Sequence, residues 1–209
     1  MKDGRAQNGN PNGHILRLKE DGGASSTSLT WDVYLFGAEA GASASAINLS
    51  NLTNDQDMSS PDGLWFSPYT GICWIQTDDG AYTDQTNCMM LAALPGQVGD
   101  GKRMTLNYPT NTGDLAVNTY VGKPATPETL KRFLVGPSGC EITGACETPD
   151  GKALFINIQH PGEGSAMADV GNPTKYQSQW PTNAGYGAGK RPRSATIVIT
   201  KADGGRIGS

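Results

Sequence analysis

The chain has 209 residues, of which 28 are Gly and 13 Pro, about a fifth of the total where a globular chain carries roughly 12%. With only 17% charged residues and so many turn formers, it cannot be mostly helical. A net charge of −4 and a pI near 5.1 exclude a nucleic-acid or anionic-membrane surface built on clustered basic residues. No apolar run approaches the ~18 residues that span a bilayer, and a mean hydropathy of −0.43 stays clear of the low-hydrophobicity, high-charge corner of disordered chains.

Taken in order, residues 1–13 have no apolar core of a secretory signal. They lead straight into a strand-like segment with nothing before it to pair with, so the chain reads as entering in the middle of a fold. Short apolar segments bounded by turn formers then recur at 14–19 (HILRLK), 29–36 (LTWDVYLF), 63–67 (GLWFS) and 72–77 (ICWIQT). The series continues at 88–94 (CMMLAAL), 130–135 (LKRFLV), 153–159 (ALFINIQ) and 195–200 (ATIVIT). Their lengths, β-branched and aromatic content and flanks predict strands. The best helix signal, Thr126 as cap with Pro127 and Glu128 behind it, reads as one turn leading into the 130–135 strand.

Two segments, 60–80 and 139–160, share a plan: an acidic residue, a short strand, a turn at Pro68 or Pro149, a second strand and a polar exit. Strand, turn, strand and two further strands make a four-stranded unit, and repeated units of this kind predict a β-propeller. The expected architecture is therefore all-β, a partial propeller of two to three blades. Residues 1–37 would supply outer strands of a preceding blade, 60–136 one full blade with a 95–127 insertion, and 139–209 the final blade. A propeller avoids exposed edges by closing with at least four blades, which this length does not provide.

The strings NPNGHILRLKEDGG, LTWDVYLFG, SPDGLWFSP, WIQTDDG, RFLVGPSGCEITGACETPDGKALFINIQHPGE and RPRSATIVITKADGGRIGS resemble, in order, the C-terminal portion of the PhoX-type bacterial alkaline phosphatases. The resemblance covers most of the chain except 40–58 and 96–127. It implies a six-bladed propeller that hydrolyses phosphomonoesters with calcium and iron at the mouth of its channel. It also implies N-terminal blades beyond those read here, and a periplasmic or extracellular location, although this chain shows no signal peptide. No nucleic-acid partner and no membrane span are expected.

Metal-assisted phosphate-ester hydrolysis needs hard oxygen ligands for calcium and positive charge to offset phosphoryl oxygens. Asp62 stands directly before the first strand of its unit. In a bare SPDG context it is a turn aspartate, and the repeat together with the resemblance makes it a metal ligand. A gapless match of the two segments would set Thr143 opposite Asp62, but threonine is a poor calcium ligand and GCEITG resembles the family as a block, so Glu141 is the second expected ligand. His160, at the end of a strand, is a candidate neighbour of the site or a hydrogen-bonded structural histidine. Arg191 and Arg193 are candidate phosphate contacts, because guanidinium forks suit phosphate oxygens, or surface residues flanking a strand.

Other residues carry less. Cys140 reads either as a thiolate ligand or as a small buried residue, Cys73 as core, and the four cysteines have no CxxC spacing for zinc. Asp78 and Asp79 read as solvated turn residues, Asp150 as an Asp-Gly hairpin residue. Asp55 and Asp57 lack the Gly and Glu of a calcium loop. No GxSxG elbow occurs and there are only two histidines, so a serine triad has no support. A non-catalytic or degenerate calcium-binding propeller module, and more weakly a calcium-dependent lactonase, remain as alternatives.

Overall fold

A computed structural model of the chain describes residues 10–78, 86–110, 112–182 and 189–209. Among them run eleven strands and no α-helix: β1 (His14–Glu20), β2 (Leu29–Phe36), β3 (Pro61–Phe66), β4 (Cys73–Thr77), β5 (Met89–Ala93), β6 (Lys102–Thr110), β7 (Gly113–Val121), β8 (Leu130–Val135), β9 (Glu141–Glu147), β10 (Ala153–Gln159) and β11 (Ala195–Thr200). The all-β class expected from the glycine and proline content is the one found. The strands form three separate sheets, none closed on itself. They fall in two compact units, Met1–Pro61 with Leu94–Lys131, and Asp62–Ala93 with Arg132–Ser209.

The first unit holds a sheet of order β1-β2-β7-β6. β1 and β2 pair antiparallel with a bulge between Ile15 and Leu16, β6 and β7 form a hairpin of two nine-residue strands, and β2 meets β7 in parallel at Val33↔Val121. Within the 95–127 stretch, expected as an insertion in a blade, β6 and β7 form the other half of this sheet. The strand signal of β6 lies in Met104, Leu106 and Tyr108, which alternate with polar Thr105 and Asn107, a period-2 pattern diluted by the Gly, Asn and Thr around it. Leu106 and Tyr108 pack with Val33, Phe36, Leu49 and Val121 into the unit's core.

A charged group ties β1 to the loop before β6. Arg17 donates from Nε and Nη2 to the two carboxylate oxygens of Asp32 at 2.8 and 2.7 Å. Its Nη2 also reaches Asp100 Oδ1 at 2.7 Å, and Nη1 donates to the Pro95 carbonyl. Asp32, 1% exposed, accepts a further bond from the Gly99 amide at 2.7 Å. A carboxylate can be buried so deeply because each oxygen is occupied.

The second unit contains a sheet of order β3-β4-β5-β8 and a sheet of order β11-β10-β9. The segments expected at 63–67, 72–77, 88–94 and 130–135 therefore lie side by side in one sheet, in sequence order. β4 is buried throughout and β5 nearly so, which is why CWIQT and MMLAA read as apolar runs rather than alternating ones. β10 alternates instead, burying Leu154, Ile156 and Ile158. These pack with Trp74, Met90, Ile142 and Ile207. Leu154 is fully buried, so Leu154→Ala should cost about 2–5 kcal/mol, readable as a lower denaturation midpoint; a loss under ~1 kcal/mol would contradict this core.

Two features set the end of this unit where the acidic residues gather. Gly144 sits at φ +64°, where β9 slips by one residue against β10. A β-bulge with a left-handed residue asks for glycine there. Across the core, Gln76 Nε2 donates to the Gly144 carbonyl at 2.7 Å, while Ser67 Oγ and Trp74 Nε1 donate to the Glu147 carboxylate at 2.9 and 3.4 Å. β4 is therefore pinned to β9 along its length.

Candidate metal centre

Strand ends decide which acidic side chains meet. Asp62 is the second residue of β3, Asp78 follows the last residue of β4, Glu141 opens β9 and His160 follows β10. Glu141 and Gln159 are direct cross-strand partners, and the Gln76 bond to Gly144 brings the exit of β4 to the start of β9. Ligand atoms of Asp78, Glu141 and His160 accordingly lie within 4.8 Å of one another.

Glu141 is the buried member, 8% exposed. Its Oε2 accepts from Gln159 Nε2 at 2.6 Å and lies 3.5 Å from His160 Nε2. Burial first, then the charges of Asp78 and Asp62 and a carboxyl hydrogen bond with Asp62, push the Glu141 pKa above its ordinary value, with His160 pulling the other way. Carboxyl groups crowded so closely favour either a shared proton or a bound cation.

His160 adds backbone strain. Its φ of +37° is uncommon outside glycine, and its amide donates to Ser194 Oγ at 3.0 Å. The imidazole is set between two carboxylates, with Nδ1 3.4 Å from Glu163 Oε2, yet buried Nδ1 makes no hydrogen bond of good geometry. Strain held by surrounding structure is a feature of functional sites. A cleft of about 240 Å³ opens alongside, lined by Asp78, Asn87, Ser138, His160, Glu163 and Gln177 among others.

The residue set fits a hard cation. Asp62, Asp78 and Glu141 offer carboxylate oxygens of the kind calcium takes, and the imidazole offers the nitrogen that iron accepts. The Cys140 thiol is packed in the core, and burial pushes it up to about 12. The small-residue alternative is the one its surroundings support.

Glu141 and His160 are brought together, and Asp62 reaches Glu141 through a carboxyl hydrogen bond without being one of the three residues whose ligand atoms converge. Arg191 and Arg193 do not line the cleft. Arg191 donates from Nη2 to the Val170 carbonyl at 2.7 Å and lies over the Tyr176 ring, while the Arg193 amide bonds the Trp180 carbonyl.

Asp78 is a correction. Its carboxylate, read from the sequence as a solvated turn group, is exposed but faces Glu141 and His160. Asp79 lies outside the described residues. The signal that marks Asp78 is the pair Ile75-Gln76, which matches Ile158-Gln159: each strand exits two residues later, or at once, into a side chain of the cluster.

The model of the family described as alkaline phosphatase PhoX matches residues 1–162. The chain belongs to the PhoX alkaline phosphatase family. The solved structure of Pseudomonas fluorescens PhoX in complex with vanadate, a transition state analogue, is similar to it at 30% identity and a TM-score of 0.65, covering 95% of this chain and 28% of that one. This PhoX-family chain thus spans a little over a quarter of that solved relative's length. No curated protein sequence matches it. Among the described residues no helix is long and apolar enough to cross a membrane.

Proposed function

We propose that this PhoX-family chain supplies one wall of a metal-dependent phosphomonoesterase site. Asp62, Asp78 and Glu141 would hold calcium, and His160 would contribute its free nitrogen to iron or orient the carboxylates. The observation that carries this reading is the meeting of Asp78, Glu141 and His160, with Asp62 hydrogen-bonded to Glu141, in a family whose solved relative is in complex with vanadate, a transition state analogue. Bound cations would supply charge neutralisation for the phosphoryl oxygens. Of the chain's own residues, Gln159 fixes one oxygen of Glu141 and so aims the carboxylate, Gln76 and Gly144 hold the two strands in register, and His160 lines the adjoining cleft.

We place the two sheets of the second unit as blades of a propeller with the partial, two-to-three-blade content expected above, and the protein in the periplasm or outside the cell, where calcium is plentiful. Hydrolysis of p-nitrophenyl phosphate that requires calcium and falls at least ~100-fold in Asp62→Asn, about the loss of ~2.7 kcal/mol of transition-state stabilisation, supports the phosphatase reading. Calcium-dependent stabilisation without any ester hydrolysis would favour the non-catalytic calcium-binding module. Turnover of lactones alone would favour the lactonase.

A further inference from the structure

A second site of different chemistry lies in the first unit. β2 and β7 pair only at Val33↔Val121, and between the N-terminal half of β2 and the end of the β6–β7 hairpin is a notch of about 490 Å³, a size that suits a small organic ligand. Its walls are apolar and open: Leu29, Trp31 and Tyr120 are 50%, 37% and 48% exposed. The Trp31 and Tyr120 rings meet edge to face, 5.7 Å apart at 82°, an arrangement that leaves a ring face free for a planar ligand.

The notch carries cationic side chains at its rim and the Asp32 carboxylate in its floor. Lys102 and Arg103 line it, and neither takes part in an ion pair or side-chain hydrogen bond among the described residues. Arg103 is the cross-strand partner of Tyr120, so its side chain stands on the same face, about 5 Å away at Cβ. The carboxylate in the floor, Asp32, shares Arg17 with Asp100 and accepts from the Gly99 amide, so the attraction for an incoming anion comes from Arg103 at the rim.

We propose that this notch binds a phosphorylated planar ring, a nucleoside monophosphate, with the base against Trp31 and Tyr120 and the phosphate at Arg103. Stacking on an aromatic side chain and a guanidinium on phosphate are the two contacts such a ligand needs. The site shares no residue with the carboxylate cluster and does not depend on metal.

The test is titration of the full chain with adenosine 5′-monophosphate in excess EDTA, read by calorimetry and by Trp fluorescence, beside adenosine, ribose 5-phosphate and inorganic phosphate. Saturable binding below ~1 mM is expected, at least tenfold tighter for the nucleotide than for any of the other three. Trp31→Ala and Arg103→Glu should each weaken it about tenfold or more, and Glu141→Gln should leave it unchanged. Tyr120→Ser, at an exposed position, serves if Trp31→Ala fails to fold. No nucleotide binding in EDTA, equal binding of inorganic phosphate or ribose 5-phosphate, or binding that survives both Arg103→Glu and the aromatic substitution would overturn the proposal.

Discussion

Replacing Arg17 by leucine is expected to destabilise the chain by about 3–5 kcal/mol, the cost of stranding a buried charge. Asp32 is 1% exposed and would lose both of its guanidinium contacts, and Asp100 would lose the same partner. Urea denaturation followed by tryptophan fluorescence measures this. Because the penalty comes from the orphaned carboxylate rather than from the ion pair's own worth, the double variant Arg17→Leu with Asp32→Leu should recover much of the loss. A single variant within ~1 kcal/mol of the parent would show that Asp32 finds water instead.

The same group gives a pH dependence. The Arg17 hydrogen bond, ahead of the amide of Lys123 and charge attraction, outweighs burial and holds the Asp100 carboxyl below its ordinary value. A depressed folded-state pKa contributes stability that is present above the unfolded value, near 3.9, and is lost as pH falls through the folded one. The stability gap between the parent and Asp100→Asn should therefore be full at neutral pH and narrow below about pH 4. A gap that stays constant down to pH 2 would rule out the carboxylate as its source.

The second large effect concerns the carboxyl cluster. Calcium at ~100 times its dissociation constant should stabilise the chain by about 2.7 kcal/mol, raising Tm by roughly 5–10 °C at this size, and EDTA should reverse it. Glu141→Gln should remove most of that response. In the absence of calcium it should act oppositely, making the chain more stable at neutral pH: a folded-state pKa raised by burial and by Asp78 and Asp62 means that the Glu141 contribution is favourable at low pH and is lost as pH rises through it. Asp150→Asn, in an exposed hairpin, is the control. A Tm unmoved by millimolar calcium in the parent would remove the cluster as a calcium site.

What was legible in the chain follows from how each signal arises. The strands β4, β5, β10 and β11 stand out because burial on one or both faces writes itself into local composition. β6 and β7 were not legible, since six of the nine residues of β7 before Thr119 face outward and a strand whose polar side is solvated looks like a polar loop. Asp62 and Glu141 are singled out by the family resemblance, Asp62 with the repeat behind it, whereas the repeat alone sets Thr143 rather than Glu141 opposite Asp62. Asp78 is not, as an aspartate after a strand is the commonest of turn residues.

The sequence by itself determined the all-β class and most strand positions, because alternation and turn chemistry act over a few residues at a time. Only the tertiary structure decided that the 95–127 stretch completes the sheet of β1 and β2, that Asp78 and His160 join Glu141, and that Arg17 is shared by Asp32 and Asp100. Each of these depends on contacts between residues far apart in the chain, 83 positions for Arg17 and Asp100 and 68 for Gln76 and Gly144. Local pattern does not encode such separations; packing of the sheets does.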